Sequence, residues 1–595
     1  MTSELFTIHS DGIYHGLPVF PENLEGLTAI VTGANGISGT YMLRVLCKNH
    51  KRWKKIYALS RSAPYLELPS HVEHVSMDLL SEPSEIARQL EEKSIKADYV
   101  FFFAYLQPKP KEGGSIWSAA DELVKVNKAL LANFLEGLAQ ASTIPKRILL
   151  QQGAKYYGMH LGPVSIPSEE TDARVTLEPN FYYNQEDYLT EFCARHGCGW
   201  NITRPSFIPG AAPNAAMNLA YPLAVYALVQ KHLGKPLIFP GDLTCWDTVH
   251  VMSSAWLNCY LAEWAVLTES AENQHFNATD DSPFTWGKFW PRFAVHFDMP
   301  WEGPDVNPDA KFHEITSANT PRGWGPPGLV RFKFTLTEWA KKPEVTAAWK
   351  EIASHAKLNS DDLGDVERIF GFTDAAILNS WGTVYSNTKL RKHGFYGFVD
   401  STESLFNVFD EFVELKMLLA FPSYSFSTGV DSIMTSNHSV HQRWKRGTYS
   451  ISTDPSLLDL NAINDVFDAD WMYWTIRLPL PELRQAISNS ACFGLYEDGN
   501  STQIGFARVV TDEVTFGYIT DVYVLPEYRG TGLGGWLLDC VDTYLDRLPY
   551  LRWAMLRTSQ ETSRKAYEKR LSMMVLDNKE NGPWMMGKKG QANRA

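Results

Sequence analysis

From Leu27 to about Pro209 the chain alternates short β-branched or aromatic runs with stretches of helical period. Six runs stand out: Thr28–Val31, Lys55–Leu59, Val72–Val75, Tyr99–Phe103, Arg147–Leu150 and Trp200–Thr203. Strands that alternate with helices are covered on both faces, so this rhythm predicts a parallel, doubly wound α/β sheet. Between Asn214 and Pro300 the pattern turns mostly helical, and residues 301–327 are rich in Pro and Gly, as expected of segments on the substrate side. A Ser- and Thr-rich stretch at 423–446 reads as a linker or exposed arm. Beyond it, alternating runs at Cys492–Tyr496, Ile504–Val510, Thr515–Tyr523 and Arg552–Leu556, with a Gly-rich turn opening a helix at Gly530–Leu545, predict a smaller mixed α+β sheet. The expected organisation is residues 1–422 with a core at about 27–210, a linker at 423–446, and a second domain at 447–595.

Composition narrows the possibilities. A chain of 595 residues exceeds what one hydrophobic core sustains, and 44% hydrophobic with 21% charged residues is the balance of an ordinary folded protein. The net charge of -13 argues against a nucleic-acid partner, which needs a basic surface to neutralise phosphates. Seven scattered cysteines with no CxxC pair suggest reduced thiols and no metal site. The start Met1-Thr-Ser-Glu-Leu has no basic and apolar leader pattern, and no window approaches the roughly 18 apolar residues of a membrane span. A soluble, cytoplasmic protein is the resulting expectation.

Thr32-Gly33-Ala-Asn35-Gly36-Ile37-Ser-Gly39 follows the first strand and runs into a helix. Glycines so placed allow a tight turn, close approach of the backbone to a pyrophosphate, and close helix packing, while the helix start offers free N–H groups. This is the expected dinucleotide site of a Rossmann sheet. The second strand ends in Leu59-Ser60-Arg61-Ser62, where a basic side chain suits the 2′-phosphate of NADPH and an acidic one would suit NAD. Asp78 and Leu79 after the third strand are placed near the adenine, an N-cap being an equally good account of the Asp. Ala104 and Tyr105 after the fourth complete the candidate cofactor set.

A helical Tyr-x-x-x-Lys would lower a phenol's proton affinity through the nearby ammonium. Between Gly33 and Trp200 the spacing occurs only at Tyr105 and Lys109, where Pro108 disfavours a helix. Several segments nevertheless occur in a familiar order: Val31–Gly39, Gln151-Gln-Gly-Ala-Lys155-Tyr-Tyr-Gly158, Asn180-Phe-Tyr182-Tyr183-Asn-Gln-Glu-Asp187, Arg204-Pro205, Phe276-Asn277 and His393-Gly-Phe-Tyr-Gly-Phe398. Together they resemble the progesterone 5β-reductase/iridoid synthase-like (PRISE) family of extended short-chain dehydrogenases across nearly the first 420 residues. The resemblance implies NADPH-dependent reduction of an enone or carbonyl compound, with Lys155 as the cationic group and Tyr182 polarising the substrate oxygen. Tyr183 is the alternative, and packing of these rings in the core is the plain structural account. Ser62 stands where the family often carries a second Arg.

The second Gly-rich element is Asp521-Val522-Tyr-Val524-Leu-Pro-Glu-Tyr-Arg529-Gly530-Thr-Gly532-Leu-Gly534-Gly535, a strand leading through Arg-x-x-Gly-x-Gly-like spacing into a helix. It resembles the acetyl-CoA loop of GNAT acetyltransferases. The resemblance implies that Val522 and Val524 run along the pantetheine arm, that Arg529, Gly530, Gly532 and Gly534 hold the pyrophosphate, and that Tyr567 is the acid for the leaving thiolate. A core role for Tyr567 is equally open, and Arg570-Leu-Ser-Met573 replaces the usual wording after it. Three outcomes follow: two active modules, reducing and then N- or O-acetylating a metabolite; an active reductase with a non-catalytic GNAT module; or a non-redox cyclase or isomerase on the dehydrogenase fold.

Overall fold

The computed structural model describes residues 7–109, 118–213, 215, 217–420, 442–472, 475–497, 502–512, 514–548, 550–577 and 584–589. The chain divides into two compact units, Met1–Val430 and Asp431–Ala595.

In the first unit the elements that build the sheet are β1 (Leu27–Thr32), α1 (Ile37–Cys47), β2 (Trp53–Ser60), β3 (Val72–Ser76), α2 (Pro83–Glu92), β4 (Tyr99–Phe102), α3 (Ala120–Gln140), β5 (Arg147–Gln151), α4 (Phe181–His196), β6 (Gly199–Pro205), α5 (Ala255–Leu267) and β7 (Gln274–Ala278). Seven parallel strands lie in the order β7-β6-β5-β4-β1-β2-β3. Successive strand residues face opposite sides, and here both sides are covered. On β4, Phe101 enters one core with Tyr41, Trp53 and Trp264, whereas Phe102 enters the other with Phe134, Ile148 and Phe192. That is why the strands read as unbroken apolar runs.

The seventh strand lies inside the stretch expected to be mostly helical. Gln274-His-Phe-Asn-Ala278 is an edge strand whose polar residues hide it from a hydrophobicity reading. The remaining helices form a third, aromatic-rich core around Trp286, Trp290, Phe293, Trp349 and Phe409. Among them Ala220–His232 has ten buried residues in thirteen, so it shows no polar face.

The second unit is one eight-stranded sheet. Its elements are β8 (Arg443–Arg446), β9 (Tyr449–Ser452), β10 (Ala491–Glu497), β11 (Thr502–Thr511), β12 (Phe516–Val524), α6 (Leu533–Asp546), β13 (Trp553–Thr558), α7 (Glu561–Arg570), β14 (Met574–Asp577) and β15 (Trp584–Lys589). The order is β8-β9-β10-β11-β12-β13-β15-β14, antiparallel except for β12 with β13. Strand β8 corrects the expected linker: Arg443–Arg446 pair with Tyr449–Ser452, so the sheet begins inside 423–446. Residues 423–441 of that stretch lie outside the described residues.

Arg204 near the end of β6 shows what holds the first unit together. Its guanidinium is fully buried, lies 3.4 Å from the Tyr156 ring centroid, pairs with Glu186 at 3.2 Å, and donates to Gln152 Oε1 and the Glu170 carbonyl at 3.3 Å. A buried charge is tolerated only when paired and hydrogen-bonded, and removing one partner strands the others. Arg204→Ala is therefore expected to cost the first unit about 3–5 kcal/mol, read from its denaturant or thermal transition. A loss below about 1 kcal/mol, the scale of a surface pair, would contradict this role.

Candidate functional site

A cavity of about 810 Å³ opens where β1, β4, β5 and β6 end. One part of its wall is the glycine loop with Arg61, Ala104 and Tyr105; another carries Lys155 and Tyr182; the rest includes Phe207, Met217, Phe332, Phe372 and Trp381. The position is dictated by topology. Strand order reverses between β1 and β4, so the chains leaving these strands diverge and cannot fill the gap between them.

The three glycines do different work. Gly33 has φ +63°, and a Cβ there would sit 2.9 Å from the Phe103 carbonyl. At Gly39 a Cβ would lie 2.2 Å from Gly33 O, so only a glycine lets α1 pack onto the loop. Gly36 meets nothing nearer than Gly33 O at 3.4 Å, and as the N-cap of α1 it adds no side-chain cap. The first N–H groups of α1 are thus left for an outside acceptor, and the helix dipole favours an anion there.

Of the expected cofactor residues, Gly33, Asn35, Gly36, Ile37, Gly39, Arg61, Ala104 and Tyr105 line the cavity, whereas Thr32, Ser60, Ser62, Asp78 and Leu79 do not. Thr32 is buried, its Oγ1 accepting from the N–H groups of Phe103 and Ala104. Ser60 donates to the Ser62 carbonyl at 2.7 Å and Asn35 to the Ser62 hydroxyl at 2.8 Å, which shapes the turn that presents Arg61. Asp78 accepts from Leu80 N–H in a turn, and Leu79 packs in the core.

Residues Phe181, Tyr182 and Tyr183 open α4 behind the N-cap Asn180. Consecutive residues on a helix point about 100° apart, so the two tyrosines meet different surroundings. Tyr183 is occupied: its hydroxyl donates to the Tyr156 carbonyl at 2.6 Å and accepts from Val175 N–H at 2.8 Å. Tyr182 faces the cavity, and its hydroxyl has no hydrogen-bond partner among the described residues. A Cβ at Gly153 would stand 3.0 Å from that hydroxyl, so the glycine makes room for it. Burial raises the proton affinity of Tyr182 well above the usual phenol range.

Lys155 is buried, and its Nζ lies 3.2 Å from Glu178 Oε1. Burial lowers its proton affinity, with Glu178 opposing the shift. The same Glu178 oxygen is 2.5 Å from His160 Nε2. Sequence reading missed Glu178 and His160, because only the fold of an irregular loop brings positions 155, 160 and 178 together. The motif residues Arg204 and Asn277 are scaffold: Asn277 accepts from the Tyr157 hydroxyl at 2.6 Å and donates to the carbonyls of Ser168 and Ser386.

In the second unit, β12 and β13 pair only between Phe516–Tyr518 and Trp553–Met555. On its other side β12 stays paired with β11 as far as Val524, through a bulge of β12 that contains Asp521, which has φ +55° and an ion pair with Arg508 at 2.7 Å. Bulges strengthen twist, and the half of β12 that carries Val522 and Val524 has no strand partner on the β13 side among the described residues. Arg529 Nε donates to the Val524 carbonyl at 3.1 Å, and its guanidinium lies 4.4 Å from the Trp471 ring centroid. Gly530 and Gly532 have φ +81° and +83°; a Cβ at Gly530 would meet nothing within 4 Å, and α6 starts at Gly532 with no side-chain cap. Gly534 leaves room beside Val524, whose methyl would be 3.6 Å from a Cβ. Tyr567 packs partly buried against the core of this unit.

The model of the PRISE-like Rossmann-fold domain matches residues 75–309, and that of the acetyltransferase (GNAT) family matches residues 460–573. An uncharacterised protein of Schizosaccharomyces pombe is 30% identical over 412 residues, which is 66% of this chain and 98% of that one. The 3-oxo-Delta(4,5)-steroid 5-beta-reductase of Arabidopsis thaliana is 26% identical over 402 residues, 66% of this chain and 92% of its own. A protein of Gibberella zeae, named as a candidate acetyltransferase, is 41% identical over 136 residues, 20% of this chain and 77% of its own.

Proposed function

Since the chain belongs to the PRISE-like Rossmann-fold family in its first unit and to the GNAT acetyltransferase family in its second, we propose that it is an NADPH-dependent reductase of an enone or carbonyl compound joined to an acetyl-CoA-dependent N- or O-acetyltransferase. The observation that carries the first half is that Tyr182, whose hydroxyl has no hydrogen-bond partner among the described residues, and the buried Lys155 open into the same cavity as the glycine cradle. A relative named for a 3-oxo-Δ4,5-steroid, an enone, supports the substrate class.

The cavity residues suit a nicotinamide dinucleotide. The start of α1, free of a side-chain cap, would take the pyrophosphate, and Arg61, with no ion pair among the described residues, would take a 2′-phosphate. A reduced nicotinamide held there supplies hydride. Tyr182 keeps its proton at neutral pH and so donates a hydrogen bond to the substrate oxygen as negative charge gathers on it. The Lys155 ammonium adds positive potential to the same wall, and the aromatic and Met side chains around the remainder exclude water and accept an apolar carbon skeleton. Losing one such donor costs roughly 10²–10³ in rate. Tyr182→Phe should therefore lower kcat/KM for NADPH oxidation with a panel of enones by about 100-fold while leaving NADPH affinity within about twofold. Equal rates in the two proteins would remove Tyr182 from the chemistry.

For the second unit the supporting observation is the unpaired half of β12 beside two left-handed glycines and an uncapped helix start. Open main-chain groups on β12 suit the amide-bearing pantetheine arm, and the N–H groups at 530–534 suit a pyrophosphate. Tyr567 is the candidate acid for the thiolate. Saturating acetyl-CoA at about 100 times its Kd should stabilise this unit by about 2.7 kcal/mol, seen as a higher unfolding temperature. Gly532→Leu, which sends a side chain into the loop, should abolish the gain. A wild-type chain indifferent to acetyl-CoA would defeat the assignment.

A further inference from the structure

Lys155 and His160 line one wall of the cavity, and Glu178, from a different turn outside that lining, meets both. Lys155 sits in the single turn Ala154–Tyr157, His160 follows it, and Glu178 precedes α4. Glu178 Oε1 is shared, 3.2 Å from Lys155 Nζ and 2.5 Å from His160 Nε2. The Lys155 and His160 side chains are only 6% and 4% exposed, whereas that of Glu178 is 25% exposed, so the carboxylate is the cluster's link to solvent.

The charged groups nearby are committed elsewhere. Arg174, on the loop before α4, pairs with Asp187 at 2.6 Å and Glu186 at 3.5 Å; Arg204 on β6 pairs with Glu186 at 3.2 Å. Besides Glu186 and Asp187, which are paired with these arginines, α4 and its cap bring neutral groups: Asn180, which donates to the Lys155 carbonyl at 2.9 Å, Tyr182, and the occupied Tyr183. Glu178 is thus the one carboxylate paired with Lys155 among the described residues. An isolated buried ammonium sheds its proton readily, and an adjacent carboxylate is what retains it. Burial lowers the proton affinity of His160, with Glu178 opposing the shift, and its Nε2–H donates to Glu178 Oε1, which fixes the carboxylate against Lys155.

We propose that Glu178, held by His160, is a positioning residue that keeps Lys155 charged inside the cavity, and that it acts on the reaction only through Lys155. The proposal rests on the role given above to Lys155 beside Tyr182. Its test therefore has one arm that needs no turnover. In the full chain, the rate of Lys155 acetylation by acetic anhydride is followed against pH by mass spectrometry for wild type, Glu178→Gln, Glu178→Asp and His160→Gln. The labelling midpoint should fall by about one pH unit or more in Glu178→Gln, return most of the way in Glu178→Asp, and shift less in His160→Gln.

In the second arm, kcat for enone reduction at pH 7 should drop about tenfold in Glu178→Gln, with its alkaline limb moved to lower pH and NADPH affinity unchanged. An unmoved labelling midpoint in folded Glu178→Gln and Glu178→Asp overturns the proposal. A midpoint that moves in a chain whose wild type oxidises no NADPH with any enone upholds the Lys155–Glu178 pairing and overturns the reductase reading instead.

Discussion

Everything at the first site depends on one constraint: two neighbouring parallel strands, β1 and β4, whose following chains run to opposite sides of the sheet. A crevice at that reversal is a geometric necessity. The sequence then furnishes it: glycines where backbone meets backbone, a helix start without a side-chain cap, and a tyrosine and lysine delivered by the ends of β5 and α4. The energetic difficulty is the lysine. An ammonium so deeply placed is unstable on its own, and the loop between β5 and α4 answers this with Glu178 and His160.

Much of the sheet was legible because its strands are covered on both faces and so read as apolar runs; the six expected strands coincide with β1 to β6 to within two residues at each end. What failed to show had physical reasons. Strand β7 is polar at an edge, the strand at Arg443–Arg446 is charged, and Ala220–His232 lacks a polar face because it is surrounded. Glycine spacing placed the loop that lines the cavity, but not that Thr32, Asp78 and Leu79 would stand outside that lining. Between Tyr182 and Tyr183 local spacing offered no choice, and only the family resemblance favoured Tyr182. Helical phase makes it, turning one ring into the cavity and binding the other to backbone. The carboxylate beside Lys155 lay beyond any local pattern, since loop closure brings it there.

The two units solve the same chemical problem, holding an anionic nucleotide, in different ways. The first uses a parallel sheet and a helix start at a topological reversal; the second uses a mixed sheet in which β12 and β13 stop pairing part-way, beside glycines with left-handed backbone. Their presence on one chain makes it a two-module enzyme.

The most direct measurement is a density map of the intact chain bound to NADP. The account predicts the diphosphate against the N–H groups at 36–39, the 2′-phosphate beside Arg61, and the nicotinamide at the wall bearing Lys155 and Tyr182. A map with the dinucleotide bound elsewhere, or with its nicotinamide remote from both side chains, would contradict it.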